Sequence, residues 1–579
     1  MANMIQNAKD SISALLAAAC EKAAAKGQLP EGAALSGTVE IPKDTTNGDY
    51  AANHAMTGAR ALHMAPRKIA EALVENLDLD GTWFSSVEVA GPGFINFRLA
   101  PSWYADVLRC VSDEGADYGR VDEGHGKKLM VEFVSANPTG PMHMGNARGG
   151  VLGDALASVM DRAGYDVWRE FYVNDAGNQI EKFATSIDAR YRQLLLGEDA
   201  VQFPEDGYQG EDIKELARAF YDEHGDVYLN KDVAERHAAM ARFGLDRNIP
   251  KMQADLRRYG VEYDEWFFES SLHESGYVAE TVAKLTERGY TYEKDGALWL
   301  RTAQILSENL LKAGKKQEEI DKLELKDDVL KRANGFYTYF AADIAYHRNK
   351  LEKRGFDYVI NVWGADHHGH VARLKGALDA LGLDGEHRLQ IVLMQLVKLM
   401  SDGHEVRMSK RTGKAISLTN LLDDIPVDSA RYFFNSRPES PVLFDLELAQ
   451  RQDNENPVYY VQYAHARICT MIANLAAEGN EVPASADAAL LSDETEKELI
   501  KQLAALPEEI RLAARDYDPS RVNKYVTELA ARFHRFYTVC HIRGAEPGVL
   551  EARLLLADCV RRVIAISLGI IGVSAPEKM

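Results

Sequence analysis

Apolar and polar residues recur with helical or strand periods along most of the chain, and the changes of period divide it into three parts. The first part predicts a helix, a short strand, a longer helix and two further strands, at 5–25, 38–41, 51–77, 86–89 and 94–99. The last two flank Gly91-Pro92-Gly93, a strong turn signal. This order indicates a compact α/β unit.

The second part begins with a near-continuous apolar run, 129–134, followed by a turn rich in glycine and proline and a helical pattern at 146–163. A strand, a glycine turn and a helix in that order are the opening unit of a doubly wound parallel sheet. Further strands of this sheet are predicted at 166–172, 358–363 and 389–394. The residues from about 180 to 330 are interpreted as helical and mixed insertions.

From Pro457 onward the pattern is helical with few glycines, which predicts an all-α domain. The expected fold class is therefore α/β, with a Rossmann-type parallel sheet at 121–455, an N-terminal α/β domain at 1–120 and a C-terminal all-α domain at 456–579.

Composition narrows the class of protein. Of the 579 residues 46% are hydrophobic and 27% are charged, the balance of an ordinary globular protein. The five cysteines are scattered, with no CxxC pair, which argues against a disulfide framework or a zinc knuckle and fits a reducing cytosol. Charged residues interrupt the N-terminal apolar pattern, so no secretory signal is predicted. The longest apolar stretch, 563–575, is shorter than the about 20 residues that span a bilayer, and we interpret it as a buried helix.

The net charge of −21 argues at first against a nucleic-acid partner. The region 511–543 is a local exception, because it holds seven arginines and lysines against three acids. Aromatic residues lie between these charges, at Tyr517, Tyr525, Phe533, Phe536 and Tyr537. A basic face with aromatics can bind phosphates and stack on unpaired bases, although most of the aromatics at helical spacing are expected in the core.

The turn after the first sheet strand carries the first chemical motif, His143-Met144-Gly145-Asn146. A glycine turn at a helix N-terminus offers free N–H groups and a favourable dipole to a phosphate. His143 could donate a hydrogen bond to a phosphoryl oxygen as charge builds up. The alternative is a plain strand-to-helix turn that contains a histidine. The phosphate-loop and strict dinucleotide-binding patterns are both absent from the sequence.

The second motif, Arg407-Met408-Ser409-Lys410-Arg411, lies between Gly403 and Gly413. Its positive charges could clamp a polyphosphate. Alone, such a run is more typical of a solvated basic loop.

Together the two motifs resemble the HIGH and KMSK signatures of class I aminoacyl-tRNA synthetases, with Asn146 in place of the second histidine and Arg407 in place of the first lysine. The surrounding sequence is similar to that of arginyl-tRNA synthetases in particular. The similar segments are Glu132-Phe-Val-Ser-Ala-Asn137-Pro-Thr-Gly, Tyr337-Thr-Tyr339-Phe-Ala-Ala-Asp343, Val362-Trp-Gly-Ala-Asp366-His-His-Gly-His370, Asn456-Pro-Val-Tyr-Tyr-Val-Gln462 and Gly48-Asp49-Tyr50-Ala51. The resemblance covers nearly the whole chain.

The resemblance implies an ATP site. The HIGH residues His143 and Gly145 would cradle ATP, with Asn146 beside them, and Lys410 would clamp the departing pyrophosphate. His143 and Lys410 are thus the implied catalytic residues. The remaining implied ATP-binding residues are Gly364, Asp366, His370, Met408 and Ser409.

The resemblance also implies sites for the other two substrates. Glu132 and Asn137 would hold the backbone end of arginine, and Tyr339 and Asp343 its guanidinium, for which a carboxylate is the matching acceptor. Without the resemblance, Asp343 would be interpreted as a helix-capping or exposed acid. The implied tRNA-binding residues are Tyr459, Gln462, Arg467, Arg532 and Arg535. The three domains would then be, in order, tRNA-contacting, catalytic with the KMSK loop, and anticodon-binding.

The implied reaction joins arginine to the 3'-terminal ribose of tRNA(Arg) through an arginyl-adenylate. ATP is the co-substrate, with Mg²⁺ on its phosphates and no tightly bound metal. The adjacent His367 and His368 lack further ligands at zinc spacing. We expect a cytoplasmic monomer without a membrane partner. Two alternatives stay open: another class I synthetase or nucleotidylyltransferase, and a non-catalytic tRNA-binding relative.

Overall fold

The computed structural model of the protein describes residues 3–406 and 416–579. The N-terminal domain is a four-stranded antiparallel sheet, in the order β1-β2-β4-β3, packed against helices. Its elements are α1 (Met4–Ala25), β1 (Val39–Glu40), β2 (Tyr50–Ala52), α2 (His54–Leu62), α3 (Pro66–Asn76), β3 (Phe84–Ala90), β4 (Phe94–Leu99) and α4 (Pro101–Glu114).

The single helix predicted at 51–77 is wrong. Residues 50–52 pair with β4 as a strand, and the rest forms two helices. α2 ends where His63 takes a left-handed conformation, φ 50°. α3 begins with Pro66, whose missing N–H is harmless in a first helical turn.

The central domain is a five-stranded, wholly parallel sheet in the order β12-β11-β5-β6-β7, as the doubly wound prediction requires. Its first elements are β5 (Lys128–Glu132), α5 (Met144–Arg162), β6 (Asp166–Val173), α6 (Asn178–Leu196), α7 (Glu211–His224), α8 (Val233–Arg258), β7 (Glu265–Phe268), α9 (Ser270–Glu274), α10 (Tyr277–Glu287), β8 (Thr291–Lys294), β9 (Ala297–Leu300), α11 (Thr302–Lys312), α12 (Gln317–Ile320) and β10 (Asp328–Lys331). Its later elements are α13 (Tyr339–Arg348), β11 (Tyr358–Gly364), α14 (His368–Ala380), α15 (Gly385–Arg388), β12 (Leu389–Met394), β13 (Val397–Ser401), β14 (His404–Val406), α16 (Leu418–Asp424), α17 (Val427–Phe434), β15 (Val442–Asp445) and α18 (Leu446–Gln450).

The two faces of this sheet belong to different hydrophobic cores. In β5, Leu129 and Val131 join the core that contains α5, whereas Met130 joins the core that contains α13. This alternation follows from the two-residue period of a strand. Both faces are covered by helices, which explains why the strand sequences are nearly continuous in apolar residues.

The expectation that 180–330 consists of insertions is wrong at one place. Residues 265–268 form β7, which pairs in parallel with β6 at the edge of the main sheet. The remainder is inserted material: α6, α7 and α8 share a small core of their own, and β8, β9 and β10 form a separate antiparallel sheet.

The C-terminal domain is all-α among the described residues, as predicted. It consists of α19 (Pro457–Ala477), α20 (Glu494–Ala504), α21 (Leu506–Asp516), α22 (Ser520–Val539) and α23 (Val549–Ile570). The N-terminal domain packs on it, with Lys501 Nζ 2.7 Å from Asp49 Oδ1.

Arg431 joins the C-terminal domain to the central one. Its side chain is fully buried on α17 and forms an ion pair with Asp154 of α5. It also donates to the carbonyls of Tyr259 and Gly260 at 3.1 Å, and to that of Ile571, just after α23, at 3.2 Å. One guanidinium therefore holds three segments far apart in the sequence.

None of the helices in the described part of the chain has the length and apolar character needed to cross a membrane.

Candidate active site

The carboxyl ends of β5 and β11 lie side by side at the point where the strand order of the parallel sheet reverses. A crevice at such a switch point is where doubly wound sheets bind ligands. The α5 N-terminus follows β5 and the α14 N-terminus follows β11, so two helix ends with free N–H groups face this crevice. The first motif lies at the start of α5.

His143 is the N-cap of α5. Its Nδ1 accepts from the N–H of Gly145 at 3.1 Å, and the side chain of Asn146 accepts from the N–H of His143 at 3.0 Å. The Nε2–H is left as the donor of the neutral ring. Desolvation by the surrounding protein lowers the pKa of His143, which favours this neutral form. A Cβ at position 145 would lie 3.0 Å from His143 Cε1, so a glycine at this position leaves room for the imidazole ring.

The segment that follows the second motif returns to this turn. Ser417 forms an antiparallel bridge with His143, and the N–H of Leu418 donates to the carbonyl of Met142 at 2.9 Å. Met408, Ser409 and Lys410, the predicted ATP-binding residues of the second motif, lie outside the described residues.

The ATP-binding residues predicted at the end of β11 and the start of α14 lie in two places, at the mouth of the crevice and in its interior. Gly364 ends β11, and the Asp366 side chain is 83% exposed beside it. His370, on the first turn of α14, points inward instead. Its Nε2 lies 2.5 Å from Asp343 Oδ2, and its Nδ1 lies 3.4 Å from Arg373 Nη2.

Glu132 is buried at the end of β5. Ser135 Oγ donates to its Oε1 at 2.8 Å, and Lys350 Nζ donates to its Oε2 at 2.5 Å. The turn that follows Glu132 is strained, because Val134 and Ser135 have φ of 70° and 43°, which are unusual values for residues with a side chain. Such strain is typical of functional sites. Asn137 is exposed farther along the same turn and donates to Gln179 Oε1 at 2.6 Å.

Asp343 lies in the first turns of α13 and is only 6% exposed. It is not a capping acid, since the Thr338 side chain caps this helix. His347 Nδ1 donates to the main-chain carbonyl of Asp343 at 2.8 Å and lies 3.1 Å from its Oδ1, while His370 Nε2 lies 2.5 Å from Oδ2. Burial by itself would raise the pKa of the Asp343 carboxyl, but His347 and His370 hold it below its usual range.

The neighbouring Arg373 determines which nitrogen of His370 donates to Asp343. Arg373 has only N–H groups to offer, so His370 Nδ1 accepts and His370 Nε2 carries the proton that Asp343 receives. The carboxylate is thus held by His370, with His347 close by, and it pairs with no lysine or arginine among the residues that the structure describes. It keeps a full negative charge in a dry place, which suits a cationic ligand.

Tyr339, the first residue of α13, is 59% exposed, and its ring lies 6.1 Å from that of His370. The nearby Asp343 carboxylate raises the pKa of Tyr339 well above its usual value. The predicted Glu132, Tyr339, Asp343 and His370 therefore belong to one electrostatically coupled group.

Sequence reasoning missed two charged residues of this group. Glu269 follows β7 and is 5% exposed; burial and then Glu269 raise the pKa of Tyr172 well above its usual value. If 265–268 had been predicted as a parallel strand, an acidic residue directly after it would have indicated a site residue. Lys350 is fully buried against Glu132. Its partner is 218 residues away in the sequence, and no local pattern indicates such a pair.

The five predicted tRNA residues are on α19 and α22. Arg467 lines a cavity of about 360 Å³ together with Tyr463, Tyr537 and Met579, and its guanidinium lies 4.3 Å from the Tyr537 ring centroid. The Tyr459 ring is stacked on Tyr463 at 6.2 Å. The other three are Arg535, which is exposed, Arg532, which is ion-paired with Glu498 and Glu528, and Gln462, whose buried amide donates to Asp428 and to the Ser574 carbonyl.

Among the described residues, no three His, Cys, Asp or Glu side chains lie together in a way that could hold a metal ion.

Three family models match the chain in sequence order. Residues 10–99 match the arginyl tRNA synthetase N-terminal domain, 110–454 match the catalytic domain of the class I (R) tRNA synthetases, and 461–579 match the DALR anticodon-binding domain.

Close relatives extend over the full length. The chain is 52% identical to an arginine–tRNA ligase of Ruminiclostridium cellulolyticum, across 96% of both chains. It is also 52% identical to that of Caldanaerobacter subterraneus subsp. tengcongensis, across 100% of both. Among solved structures, the Thermus thermophilus arginyl-tRNA synthetase has the same fold, with a TM-score of 0.72 at 21% identity, across 99% of this chain and 100% of that one.

Proposed function

The chain belongs to the arginyl-tRNA synthetases of class I, and from this premise we propose how its residues share the reaction. It is an enzyme, an arginine–tRNA ligase, which uses ATP and acts on arginine and tRNA. The identity of the relatives sets aside the nucleotidylyltransferase and non-catalytic alternatives. What remains to be proposed is the role of each residue.

We propose that arginine lies between Glu132 and Asp343. Glu132 and Asn137 would bind its α-amino end, and Asp343 with Tyr339 its guanidinium. The observation that carries this assignment is the surroundings of Asp343: a buried carboxylate that accepts from His370, lies 3.1 Å from His347 Nδ1, and forms no ion pair with a lysine or arginine in the described part of the chain. A guanidinium supplies the missing positive charge and a planar set of donors.

ATP would lie across the two helix N-termini. His143, Gly145 and Asn146 of α5 would face its phosphates, and Gly364 and Asp366 its ribose, with His370 behind them. Met408, Ser409 and Lys410 would close on the phosphates from the second motif. Mg²⁺ would accompany ATP, held by phosphate oxygens and water as is usual for this ion, and we assign it no protein ligand.

In the first step, the arginine carboxylate would attack the α-phosphorus in line, giving arginyl-adenylate and pyrophosphate. The protein contributes orientation and charge stabilisation without a nucleophile of its own. The His143 Nε2–H would donate to a phosphoryl oxygen as negative charge accumulates there. In the second step, the terminal ribose hydroxyl of tRNA would attack the arginyl carbonyl and release AMP.

We propose that the anticodon loop of tRNA(Arg) binds at the cavity between α19 and α22. Arg467 and the tyrosines there offer a cation and stacking faces to an unpaired base. Tyr459, Arg532 and Arg535 would contact the adjacent backbone, and Gln462 would act by holding the segment at Ser574. These contacts would give a steep salt dependence despite the acidic chain.

We further propose domain limits of 1–120, 121–455 and 456–579, a monomer, and a cytoplasmic location. The five cysteines are all free thiols, which suits a reducing compartment. Sedimentation of the purified enzyme tests the monomer.

The direct test of the function is charging of unfractionated tRNA with each labelled amino acid in turn. Arginine alone should be attached, and tRNA(Arg) alone should receive it. Charging with another amino acid at a comparable rate would refute the assignment.

A further inference from the structure

We propose that Lys350, Asn361 and His347 are positioning residues which hold Glu132 and Asp343 at a fixed separation, so that the enzyme selects an amino acid by its length as well as by its charge. The inference rests on the proposed function, in which these two carboxylates bind opposite ends of arginine. None of the three touches the substrate in this assignment.

A continuous chain of contacts joins the two carboxylates. Lys350 Nζ lies 2.5 Å from Glu132 Oε2 and 3.2 Å from Asn361 Oδ1. Asn361 Nδ2 lies 2.7 Å from His347 Nε2. His347 Nδ1 lies 2.8 Å from the main-chain oxygen of Asp343 and 3.1 Å from its Oδ1. These contacts lead from the Glu132 carboxylate to both the main chain and the side chain of Asp343.

The charge of Lys350 fixes the direction of every bond in this chain. An ammonium group only donates, so Asn361 must present its oxygen to Lys350 and its NH₂ to His347. His347 Nε2 must then accept, which places the imidazole proton on Nδ1, facing Asp343. One arrangement of protons satisfies the chain, and its last N–H is shared between the main-chain carbonyl and the carboxylate of Asp343.

Burial makes the chain rigid. Lys350 and Asn361 are 0% exposed, His347 is 1% exposed, and the carboxylates at the ends are 5% and 6% exposed. A group buried this deeply cannot exchange its partner for water, so breaking one link leaves a polar atom unsatisfied. A polar network in which every member is satisfied specifies one geometry.

The backbone supports the same conclusion. Glu132 and Asn361 are register partners on the adjacent parallel strands β5 and β11, so their side chains leave the same face of the sheet. Lys350 lies in a π-helical turn, 349–353, that continues α13. Turns of this kind are rare and often occur at functional sites. Here the wider turn places an ammonium group over the sheet, 4.0 Å from the Tyr346 ring centroid.

A fixed separation would discriminate between homologues that carry the same two end groups. Homoarginine is one methylene longer than arginine, and 2-amino-4-guanidinobutyrate is one shorter. Each could satisfy one carboxylate fully but not both. One methylene is typically worth about 10–200-fold in kcat/KM.

The test replaces Asn361 by leucine, which has a similar volume but removes both central links and adds no charge. Pyrophosphate exchange, with tRNA present, would be measured for arginine and for the two homologues. We expect kcat/KM for arginine to fall, and the preference for arginine over each homologue to shrink about ten-fold. A general loss of stability would lower all three rates together and leave the preference unchanged.

Two further variants complete the experiment. Asn361→Ser breaks the chain in a smaller volume, and should reduce the preference in the same direction if the leucine variant fails to fold. Asn435→Leu removes another buried amide, one that donates to Asn523 Oδ1 at 2.6 Å outside the site, and should keep the wild-type preference. Wild-type preference in both Asn361 variants would overturn the proposal.

Failure of the proposed function would be recognised separately. Glu132→Gln and Asp343→Asn test whether the carboxylates bind arginine at all, through KM for arginine. If both raise KM while the Asn361 variants keep the preference, arginine binds as assigned and only the positioning role is wrong.

Discussion

At the scale of single residues, His143 combines two tasks that different atoms of one ring perform. Nδ1 closes the first turn of α5, and Nε2 is free to donate toward a phosphate. Substitutions can separate the two tasks, because an asparagine also caps a helix well but has no donor at the position of Nε2.

We therefore expect His143→Ala and His143→Asn to lower kcat for adenylate formation alike, by roughly 10²–10³-fold, the cost of one transition-state donor. Only the alanine variant should also lose about 1 kcal/mol of stability through the lost cap. Single-turnover kinetics and denaturant titration measure the two effects. An asparagine variant with near-normal kcat would show that His143 contributes only the cap.

The lowered pKa of His143 has a consequence for stability. The unfolded imidazole titrates near 6.5, and the folded one below that value, so acid favours the unfolded state. The contribution of His143 is therefore present above about pH 6.5 and is lost as the pH falls below it. The difference in Tm between the wild type and His143→Asn should move against the wild type between about pH 7.5 and 5. A constant difference would contradict the lowered pKa of His143.

Asp343 gives the prediction on charge. Citrulline has nearly the shape of arginine but no positive charge, and losing a buried charge-assisted pair costs about 3–5 kcal/mol, or roughly 10²–10⁴-fold in kcat/KM. Asp343→Asn should raise KM for arginine, leave KM for ATP near normal, and shrink the preference for arginine over citrulline. Steady-state exchange with tRNA present measures all three.

The matched control for that variant is Asp188→Asn, which removes a buried carboxylate from a two-bond ion pair with Arg236 in the inserted helices. It should cost stability and leave the preference unchanged. If Asp343→Asn also keeps the wild-type preference, Glu269 is the acid to examine next.

At the scale of elements, local patterns predict the α5 turn and the parallel strands well. The elements that failed depend on single residues or on tertiary partners. Pro66 divides a helix that the apolar period alone continues, and β7 is four residues long within a mainly helical region. A strand this short becomes a sheet member only through pairing with β6, which no local pattern contains. Glu269 was missed for the same reason.

Predictability of the site follows the same rule. His143, Glu132 and Asp343 lie in segments with a recognisable family resemblance. The direction of His370 toward Asp343, and the pairing of Lys350 with Glu132, depend on side chains from separate elements, and only the folded structure brings these together.

α19 supplies the prediction on the tRNA side. Arg467→Gln should weaken tRNA binding by about 1–3 kcal/mol, as for one lost nucleic-acid contact, without changing KM for arginine. Arg511→Gln removes the same charge from the same domain, but from an ion pair with Glu508 away from the cavity, and should have little effect. Filter binding at several salt concentrations compares them. Equal losses in both variants would mean that only net charge matters, and that the cavity does not bind tRNA.

At the scale of the whole molecule, a net charge of −21 and a tRNA substrate are compatible because binding is local. The family resemblance adds an expectation that tRNA is needed even to activate arginine. Pyrophosphate exchange should be feeble without tRNA and restored by tRNA(Arg). Vigorous tRNA-free exchange would show that this enzyme departs from its relatives.

The junction at Arg431 has a consequence for biosynthesis. Its acceptor at Ile571 is made by the ribosome 140 residues after Arg431 itself, when the remaining acceptors at Asp154, Tyr259 and Gly260 are already available. Until the Ile571 carbonyl has been synthesised, the Arg431 guanidinium lacks one of its hydrogen-bond acceptors. Burying a donor without its acceptor costs free energy. The central sheet should consequently stay loosely closed on the ribosome and complete its packing only when translation is nearly over. Nascent chains arrested shortly before residue 571 should be cleaved by protease at sites that the released enzyme protects.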